Sequence, residues 1–205
     1  RQPIVDLQQK IIAYELLFRH SAEASEAQIA DDLSAGTNVL VNTFSNMDAN
    51  WLLGDKLAFI NIAAPMLESD FLELLPAKRV VLELIETVEA TPDLVARIQS
   101  LRQMGFRFAL DDFGNGFSSF SYLRLLPVDY LKIDGSYIRD MNKDATHKSL
   151  VKAINAVAHA LGKKTIAEFV ENEEIMKSLS ALKIDFGQGY HLGKPIPAPV
   201  GLKQA

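Results

Sequence analysis

The sequence contains no cysteine, which excludes a disulfide framework, a thiolate metal site and a cysteine nucleophile. Its four histidines show neither His-x-His nor His-x-x-x-His spacing, so any metal should be a hard cation bound by oxygen rather than zinc bound by imidazole. It also lacks a basic block, and its formal net charge of −5 argues against duplex nucleic acid or a membrane surface as partner. No apolar run reaches the length of about 18 residues that a transmembrane helix needs.

The chain does have the composition of a globular protein, with 48% hydrophobic residues over 205 positions. That is enough material for one core, and we expect residues 1–205 to form a single domain. Because the chain opens on Arg1 without an initiator methionine, we expect it to be part of a longer protein. The domain is expected in the cytoplasm, and a membrane tether elsewhere in the full-length protein stays open.

From position 57 onward, apolar strands alternate with helical segments, which predicts a parallel sheet covered on both faces. About eight strands favour a TIM-like (β/α)8 barrel over an open doubly wound sheet, and no Gly-x-Gly-x-x-Gly follows a first strand. The first two strands predict an antiparallel pair that makes the barrel irregular. Strands are predicted over residues 2–7, 11–18, 57–63, 80–85, 106–110, 130–133, 165–170 and 186–192. Helices are predicted over residues 37–54, 65–76, 91–105, 118–126, 144–162 and 173–183.

Two adjacent carboxylates, Asp111 and Asp112, follow directly on the apolar run over residues 106–110. Their charges repel each other, and burial at a strand end penalises both. A pair of divalent cations would offset this cost, since one carboxylate can bridge two ions while its neighbour binds one. A solvated acidic turn is the alternative interpretation, and the pair alone does not decide between them.

One polar residue interrupts, or ends, each of seven apolar strands. In a parallel barrel the carboxyl ends of the strands open on one face, so these side chains should converge there. Any one of them has a structural explanation, but seven, one per strand, predict a shared site. Their carboxylates and amide oxygen suit two Mg²⁺ or Mn²⁺ ions, and a lysine would direct positive charge at a water or a phosphate. The residues therefore predict metal-assisted hydrolysis of a phosphate ester without identifying the substrate. The seven are Glu15, Asn61, Glu83, Asp111, Lys132, Glu168 and Gln188.

An ordered set of short motifs resembles the EAL-domain cyclic di-GMP phosphodiesterases over nearly the whole chain. The resemblance implies hydrolysis of cyclic di-GMP to linear pGpG in bacterial second-messenger signalling. The motifs are Tyr14-Glu15-Leu16-Leu17-Phe18-Arg19, Phe59-Ile60-Asn61-Ile62, Glu83-Leu84-Ile85-Glu86, Asp111-Asp112-Phe113-Gly114-Asn115-Gly116, Lys132-Ile133-Asp134, Glu168-Phe169-Val170-Glu171 and Gln188-Gly189-Tyr190.

The same resemblance implies a role for each matching residue. One metal would be held by Glu15, Asn61, Glu83 and Asp111, and the second metal with its water by Asp111, Asp112 and Glu168. Glu168 is also the candidate general base, and Lys132 would orient the nucleophilic water. The implied ligand contacts are Gln2, Arg19, Glu171, Gln188 and Pro195, and Glu86 would anchor the loop over residues 112–119. A homodimer through the face near that loop, and upstream sensory or regulatory domains, are implied as well.

Several positions depart from the family pattern. His20 stands where the family usually has Trp, Ile85 replaces Thr, and Phe169, which could crowd the site, replaces Gly. Residues 20–56 lack the usual ligand loop and look more like the EAL domains paired with HDOD domains. These departures keep two alternatives open. One is a catalytically weak or inactive EAL domain that serves as a cyclic di-GMP sensor or a protein-interaction module, and the other is hydrolysis of a different phosphodiester.

Overall fold

Eight strands close into a barrel in a computed structural model, which describes residues 1–17, 53–85, 88–114 and 120–196. Each strand pairs with the next in sequence, and the last returns to the first. The strands are β1 (Gln2–Asp6), β2 (Ile11–Glu15), β3 (Leu57–Asn61), β4 (Val80–Ile85), β5 (Arg107–Phe113), β6 (Tyr130–Ile133), β7 (Lys164–Ala167) and β8 (Phe186–Gly187). The predicted TIM-like barrel is therefore confirmed.

Strand β1 is the irregular member of the barrel, since it runs antiparallel to both β2 and β8. The pairs from β2 to β8 are all parallel. A turn of four residues joins β1 to β2, and the carboxyl of Asp6 accepts hydrogen bonds from the backbone N–H groups of Gln8 and Lys10, both at 2.9 Å. The predicted antiparallel opening is confirmed.

Two separate cores follow from the alternation of side chains along the strands. The inner core fills the barrel with one buried residue from each of the first seven strands, and the outer core lies between the sheet and its helices. The inner residues are Ile4, Ala13, Phe59, Val81, Ala109, Tyr130 and Ile166.

Five α-helices cover the described part of the barrel, and both caps of the first one agree with the sequence signals. Thr91 Oγ1 accepts from the backbone N–H of Leu94, and Gly105 ends the same helix at a φ of 111°. None of the described helices has the length and apolar character to cross a membrane. The helices are α1 (Pro92–Met104), α2 (Phe120–Leu125), α3 (Gly135–Asp140), α4 (Ala145–Ala160) and α5 (Glu173–Ala181).

The helix predicted over residues 65–76 is wrong. Two short 3₁₀ helices, Ala64–Glu68 and Asp70–Leu74, occupy that region, and a third, Ala77–Arg79, follows it. Ser69 and Leu75 both have extended backbones, with ψ of 136° and 147°, and they separate the turns. At Leu75 the cause is local, because the ring of Pro76 disfavours a helical conformation in the preceding residue.

The predicted ends of some strands also differ from those in the structure. The last strand stops at Gly187 rather than at 192, and the seventh strand ends at Ala167. The short helix α3 is not predicted, although Asp134 caps it by accepting from the backbone N–H of Ser136 at 2.8 Å. The helix predicted over residues 37–54 lies almost entirely outside the described residues.

Candidate active site at the carboxyl mouth of the barrel

The candidate site is built by the two-residue period of the strands. On each parallel strand, the residue two positions after the inward-facing apolar residue also points into the barrel, at the carboxyl end. Because β1 runs the other way, its corresponding residue comes two positions before Ile4. These positions are Gln2, Glu15, Asn61, Glu83, Asp111, Lys132, Glu168 and Gln188. We call this set the mouth residues. All seven strand-borne residues singled out in the sequence belong to it.

Lys132 lies at the centre of the mouth, with 1% of its side chain exposed. Its Nζ is 2.8 Å from Asp111 Oδ1, 2.9 Å from Glu83 Oε1 and 3.1 Å from Glu168 Oε1. Glu15 Oε2 is further away, at 3.9 Å. One ammonium therefore faces carboxylates from four other strands. The acidic side chains around Lys132 outnumber this single cationic group.

The burial of these groups perturbs their protonation. Burial raises the pKa of Glu83 well above its usual value, although Lys132 opposes that shift. Burial raises the pKa of Glu168 to about 8 against the same opposition. For Lys132, burial lowers the pKa, but the surrounding carboxylates, with Glu83 foremost, outweigh it and hold the pKa well above its usual value. Lys132 is therefore protonated at neutral pH.

Buried oxygens without a hydrogen-bond donor indicate that the acid-rich mouth suits a further cation. Glu83 Oε2, Glu168 Oε2 and Gln188 Oε1 are buried and accept no hydrogen bond from any residue that the structure describes. Such groups are costly unless a cation or a donor satisfies them. Carboxylate and amide oxygens are the ligands of hard divalent cations, so the mouth residues fit Mg²⁺ or Mn²⁺.

A bulge brings both adjacent aspartates to the same site. Neighbouring strand residues normally point to opposite faces, but three steps along β5, from Leu110 to Phe113, pair with two along β6. Asp112 has a left-handed φ of 51° at this bulge. Carboxylate oxygens of Asp111, Asp112 and Glu168 consequently lie within 4.8 Å of one another. The pKa of Asp112 is raised by burial and by Asp111.

Amide side chains connect the other half of the mouth. Asn61 Nδ2 donates to Glu15 Oε1 at 3.2 Å, and Gln188 Nε2 donates to Glu15 Oε2. Gln188 Nε2 also lies 3.3 Å from Gln2 Oε1, while Gln2 Nε2 donates to the backbone oxygen of Gly193 at 3.1 Å. Glu15 is thus held by side chains from two other strands.

A pocket of about 420 Å³ opens beside the mouth residues. It is lined by four of the five predicted ligand contacts, Gln2, Glu171, Gln188 and Pro195, together with Glu15 and Glu168. Three apolar side chains, Leu17, Phe169 and Tyr190, complete its wall and are 41%, 48% and 64% exposed. Sequence reasoning did not identify Leu17 or Tyr190 as site residues. The only signal for them was their place within the motifs Tyr14-Glu15-Leu16-Leu17-Phe18-Arg19 and Gln188-Gly189-Tyr190.

Phe169 takes a backbone conformation that suits glycine better, with a φ of 51°. Its ring packs against Gly135, where an added Cβ would overlap it, and lies 4.9 Å from the guanidinium carbon of Arg139. The ring therefore rests on α3 while it borders the pocket.

Two predicted site residues, Arg19 and Glu86, lie outside the described residues, as do residues 115–119 of the loop that Glu86 would anchor. Within the described part of that loop, the Tyr137 hydroxyl donates to the backbone oxygen of Gly114 at 2.6 Å. Helix α3 thus supports both the end of β5, through Tyr137, and Phe169, which follows β7.

Comparison with known proteins identifies related chains. The model of the EAL domain matches residues 2–195. Over 125 residues the chain is 43% identical to the cyclic di-GMP phosphodiesterase PdeB of Shewanella oneidensis, covering 60% of this chain and 15% of PdeB. Over 125 residues it is 42% identical to the cyclic di-GMP phosphodiesterase PdeA of Borreliella burgdorferi, covering 60% of this chain and 19% of PdeA. The chain thus covers only a small part of the length of both relatives.

A solved structure extends the similarity to the fold. The EAL enzyme Bd1971, in its cAMP and cyclic-di-GMP bound form, superposes on this chain with a TM-score of 0.79 at 28% identity. The superposition covers 95% of this chain and 61% of Bd1971.

Proposed function

The chain belongs to the EAL domain family, and from that premise we propose that it hydrolyses cyclic di-GMP to linear pGpG. Two relatives are named cyclic di-GMP phosphodiesterases, and the solved EAL enzyme has a form with cyclic di-GMP bound. The observation that carries the proposal is the convergence of eight polar side chains, one at the mouth end of each strand, on one mouth of the barrel.

Two divalent cations, Mg²⁺ or Mn²⁺, complete the proposed site. Glu15, Asn61, Glu83 and Asp111 would hold one ion, and Asp111, Asp112 and Glu168 the other. The unsatisfied buried oxygens and the surplus of carboxylates over ammonium groups support this assignment. When bound, such ions lower the pKa of water and neutralise charge on phosphoryl oxygens.

The side chains of the chain itself then position and deprotonate the nucleophile. Glu168 belongs to the carboxylate cluster and also lines the pocket, so we assign it as the general base that takes the proton of the attacking water. Lys132, fixed by Glu83 and Asp111, orients that water and directs positive charge at the phosphate. Because pGpG carries its terminal phosphate on a 5′ oxygen, the bond that breaks joins phosphorus to the 3′ oxygen.

The pocket beside the mouth is proposed to hold a guanine base. Leu17, Phe169 and Tyr190 offer apolar and aromatic surface for its faces, while Gln2, Gln188 and Glu171 offer hydrogen-bonding groups for its edges. Pro195 closes the wall. Contact of Arg19 with the ligand phosphate and anchoring of the loop by Glu86 stay predictions.

The wider setting of the domain is also proposed. We expect a homodimer through the face near residues 112–119, further sensory or regulatory domains in the full-length protein, and a cytoplasmic location for this domain. Light scattering on the purified chain, with and without cyclic di-GMP, tests the dimer directly.

The experiment that tests the function is a turnover assay with cyclic di-GMP and Mn²⁺ or Mg²⁺, with products separated by chromatography. We expect pGpG from the native chain and none after chelation. Glu15→Gln and Asp111→Asn should each reduce turnover more than about a hundredfold, since even partners outside the metal shell can be worth 10–100-fold. Glu73→Gln is the control, because it removes an exposed carboxylate that is not one of the mouth residues.

Two outcomes would contradict the proposal. Tight binding of cyclic di-GMP without pGpG would favour the sensor alternative. Full activity in Asp111→Asn would show that the mouth residues are not the catalytic metal site.

A further inference from the structure

A depression of about 500 Å³ lies at the end of the barrel opposite the mouth. It is formed where β5, β6 and β7 begin, with contributions from the segments that precede them. Four cationic side chains line it, Arg102, Arg107, Lys163 and Lys164, against one carboxylate, Asp129. We call it the basic depression. This excess of cationic over acidic lining residues contrasts with the net charge of −5 of the whole chain.

Lys163 is the most unusual member of the basic depression, because it is buried without an acidic partner. It is 8% exposed, and its Nζ donates to the backbone oxygens of Val128 at 3.0 Å and Leu126 at 3.3 Å. No carboxylate among the described residues lies within ion-pair distance of it. A buried charge is normally paired. Burial lowers the pKa of Lys163, and Arg102 adds to that shift while Asp129 opposes it.

The acidic groups nearby are already engaged with other partners. Asp129 Oδ2 lies 2.9 Å from Arg102 Nη1 and accepts from the backbone N–H of Phe108, also at 2.9 Å. Lys164 pairs with Asp185, which lies 3.2 Å away. Their charges are therefore compensated within the protein.

Arg107 contributes a second unpaired cation to the same depression. Its side chain is partly exposed and makes no hydrogen bond or ion pair with the residues that the structure describes. Arg107 and Lys163 thus leave a guanidinium and an ammonium without an anion in one concave surface.

From these contacts we propose that the basic depression binds a small phosphate-class anion, either inorganic phosphate or a phosphate monoester. A guanidinium binds phosphate through two parallel N–H groups, and an ammonium adds a point charge with its remaining donor. Two unpaired cations in one depression suit a single small anion rather than a duplex backbone, which needs an extended basic surface. The site is separate from the proposed catalytic mouth and does not depend on the proposed function.

The test is calorimetric titration of the whole chain with inorganic phosphate, and separately with glycerol 3-phosphate. Chelator is present throughout to remove divalent cations, and chloride keeps the ionic strength constant. We expect saturable binding with one site per chain. Arg107→Gln should weaken that binding at least tenfold, since it removes one of the two unpaired cations without disturbing a contact seen in the fold. Lys152→Gln is the control, because it removes an exposed positive charge on α4.

The two probes distinguish the sources of the anion. Tighter binding of inorganic phosphate supports a free phosphate, and tighter binding of the ester supports a phosphorylated metabolite. Absence of saturable binding for both probes would overturn the proposal. Equal affinities in the native chain and Arg107→Gln would also overturn it, because the anion would then bind elsewhere.

Discussion

The two ends of the barrel present opposite electrostatic arrangements around the same residue type. At the mouth, Lys132 is buried among carboxylates, and its pKa is held well above the usual value of a lysine. At the other end, Lys163 is buried against neutral backbone oxygens, and its pKa is lowered. Burial penalises the charge of both lysines, so their partners decide the direction of the shift.

This difference shows what each end lacks. The mouth has more carboxylates than its single ammonium can neutralise, which favours the binding of cations. In the basic depression, Asp129 and Asp185 pair with Arg102 and Lys164, and the remaining cations, Arg107 and Lys163, have no anionic partner among the described residues, which favours a bound anion. The catalytic proposal and the anion proposal therefore follow from one physical rule, that buried charge needs a partner.

The largest expected effect comes from removing the ammonium at the mouth. Lys132→Met leaves Glu83, Asp111 and Glu168 without their common partner. Breaking a buried ion pair on one side costs about 3–5 kcal/mol, so we expect a loss of that order in the free energy of unfolding in chelator. Denaturant unfolding measures the loss directly.

Added Mn²⁺ and a second lysine variant provide controls for Lys132→Met. If the mouth binds Mn²⁺, added Mn²⁺ should restore part of the stability of Lys132→Met, because a ligand bound only to the folded state stabilises it. Lys152→Met, on the exposed face of α4, should change little with or without Mn²⁺. A Lys132→Met chain as stable in chelator as the native chain would contradict the strong charge coupling described at the mouth.

The mouth could be predicted from the sequence because its signal repeats. Each strand carries an inward apolar residue and, two positions further toward the mouth, a polar one, as in Phe59 and Asn61 or Val81 and Glu83. Because side chains alternate along each strand and parallel strands end on one face, these residues can be placed together without knowledge of the loops. The fold and most of the site therefore follow from local pattern.

The bulge at Asp112 and the conformation of Phe169 could not be predicted in this way. Both residues have a φ of 51°, which sequence pattern does not indicate for aspartate at a strand end or for phenylalanine. Their conformations depend on neighbours from other strands and from α3, such as Gly135 beneath the Phe169 ring.

The basic depression could not be predicted from the sequence for a different reason. Its charges come from the end of α1, the start of β5, the segment before β6 and the segment before β7. In the sequence these are single charges, apart from the adjacent pair Lys163-Lys164, and together they lie within a chain of net negative charge. Only the closed barrel brings them to one end.

A smaller effect is expected at the basic depression. Lys163→Met removes the donor to the backbone oxygens of Leu126 and Val128, which leaves both without that partner. An unsatisfied buried acceptor costs about 1–3 kcal/mol, but removal of an unpaired buried charge offsets part of that cost. The loss of unfolding free energy should therefore be clearly less than for Lys132→Met in the same chelator buffer. An equal or larger loss would contradict the distinction drawn between the two ends.

The smallest effect concerns Asp185, which pairs with His159 and Lys164 beside the basic depression. Burial raises the pKa of Asp185, but hydrogen bonds from the Thr165 backbone N–H, His159 and Lys164 outweigh it and lower the pKa below its usual value. Folding therefore favours the ionised carboxyl. Its contribution is present above the ordinary pKa of 3.8 and disappears as the pH falls through the lower value of the folded state.

For Asp185→Asn, we expect a loss of about 1 kcal/mol in unfolding free energy at pH 7, since solvent screens this partly exposed pair. Asparagine keeps an acceptor for the Thr165 N–H, so the loss reports mainly the charge. The difference in unfolding free energy between Asp185→Asn and the native chain should shrink as the pH is lowered from 5 toward about 3. Denaturant unfolding across that pH range measures it. A constant gap at every pH would show that Asp185 acts here through packing. The carboxylates of the cation-rich end would then not stabilise it by charge, and the electrostatic contrast with the mouth would be weaker than the contacts indicate.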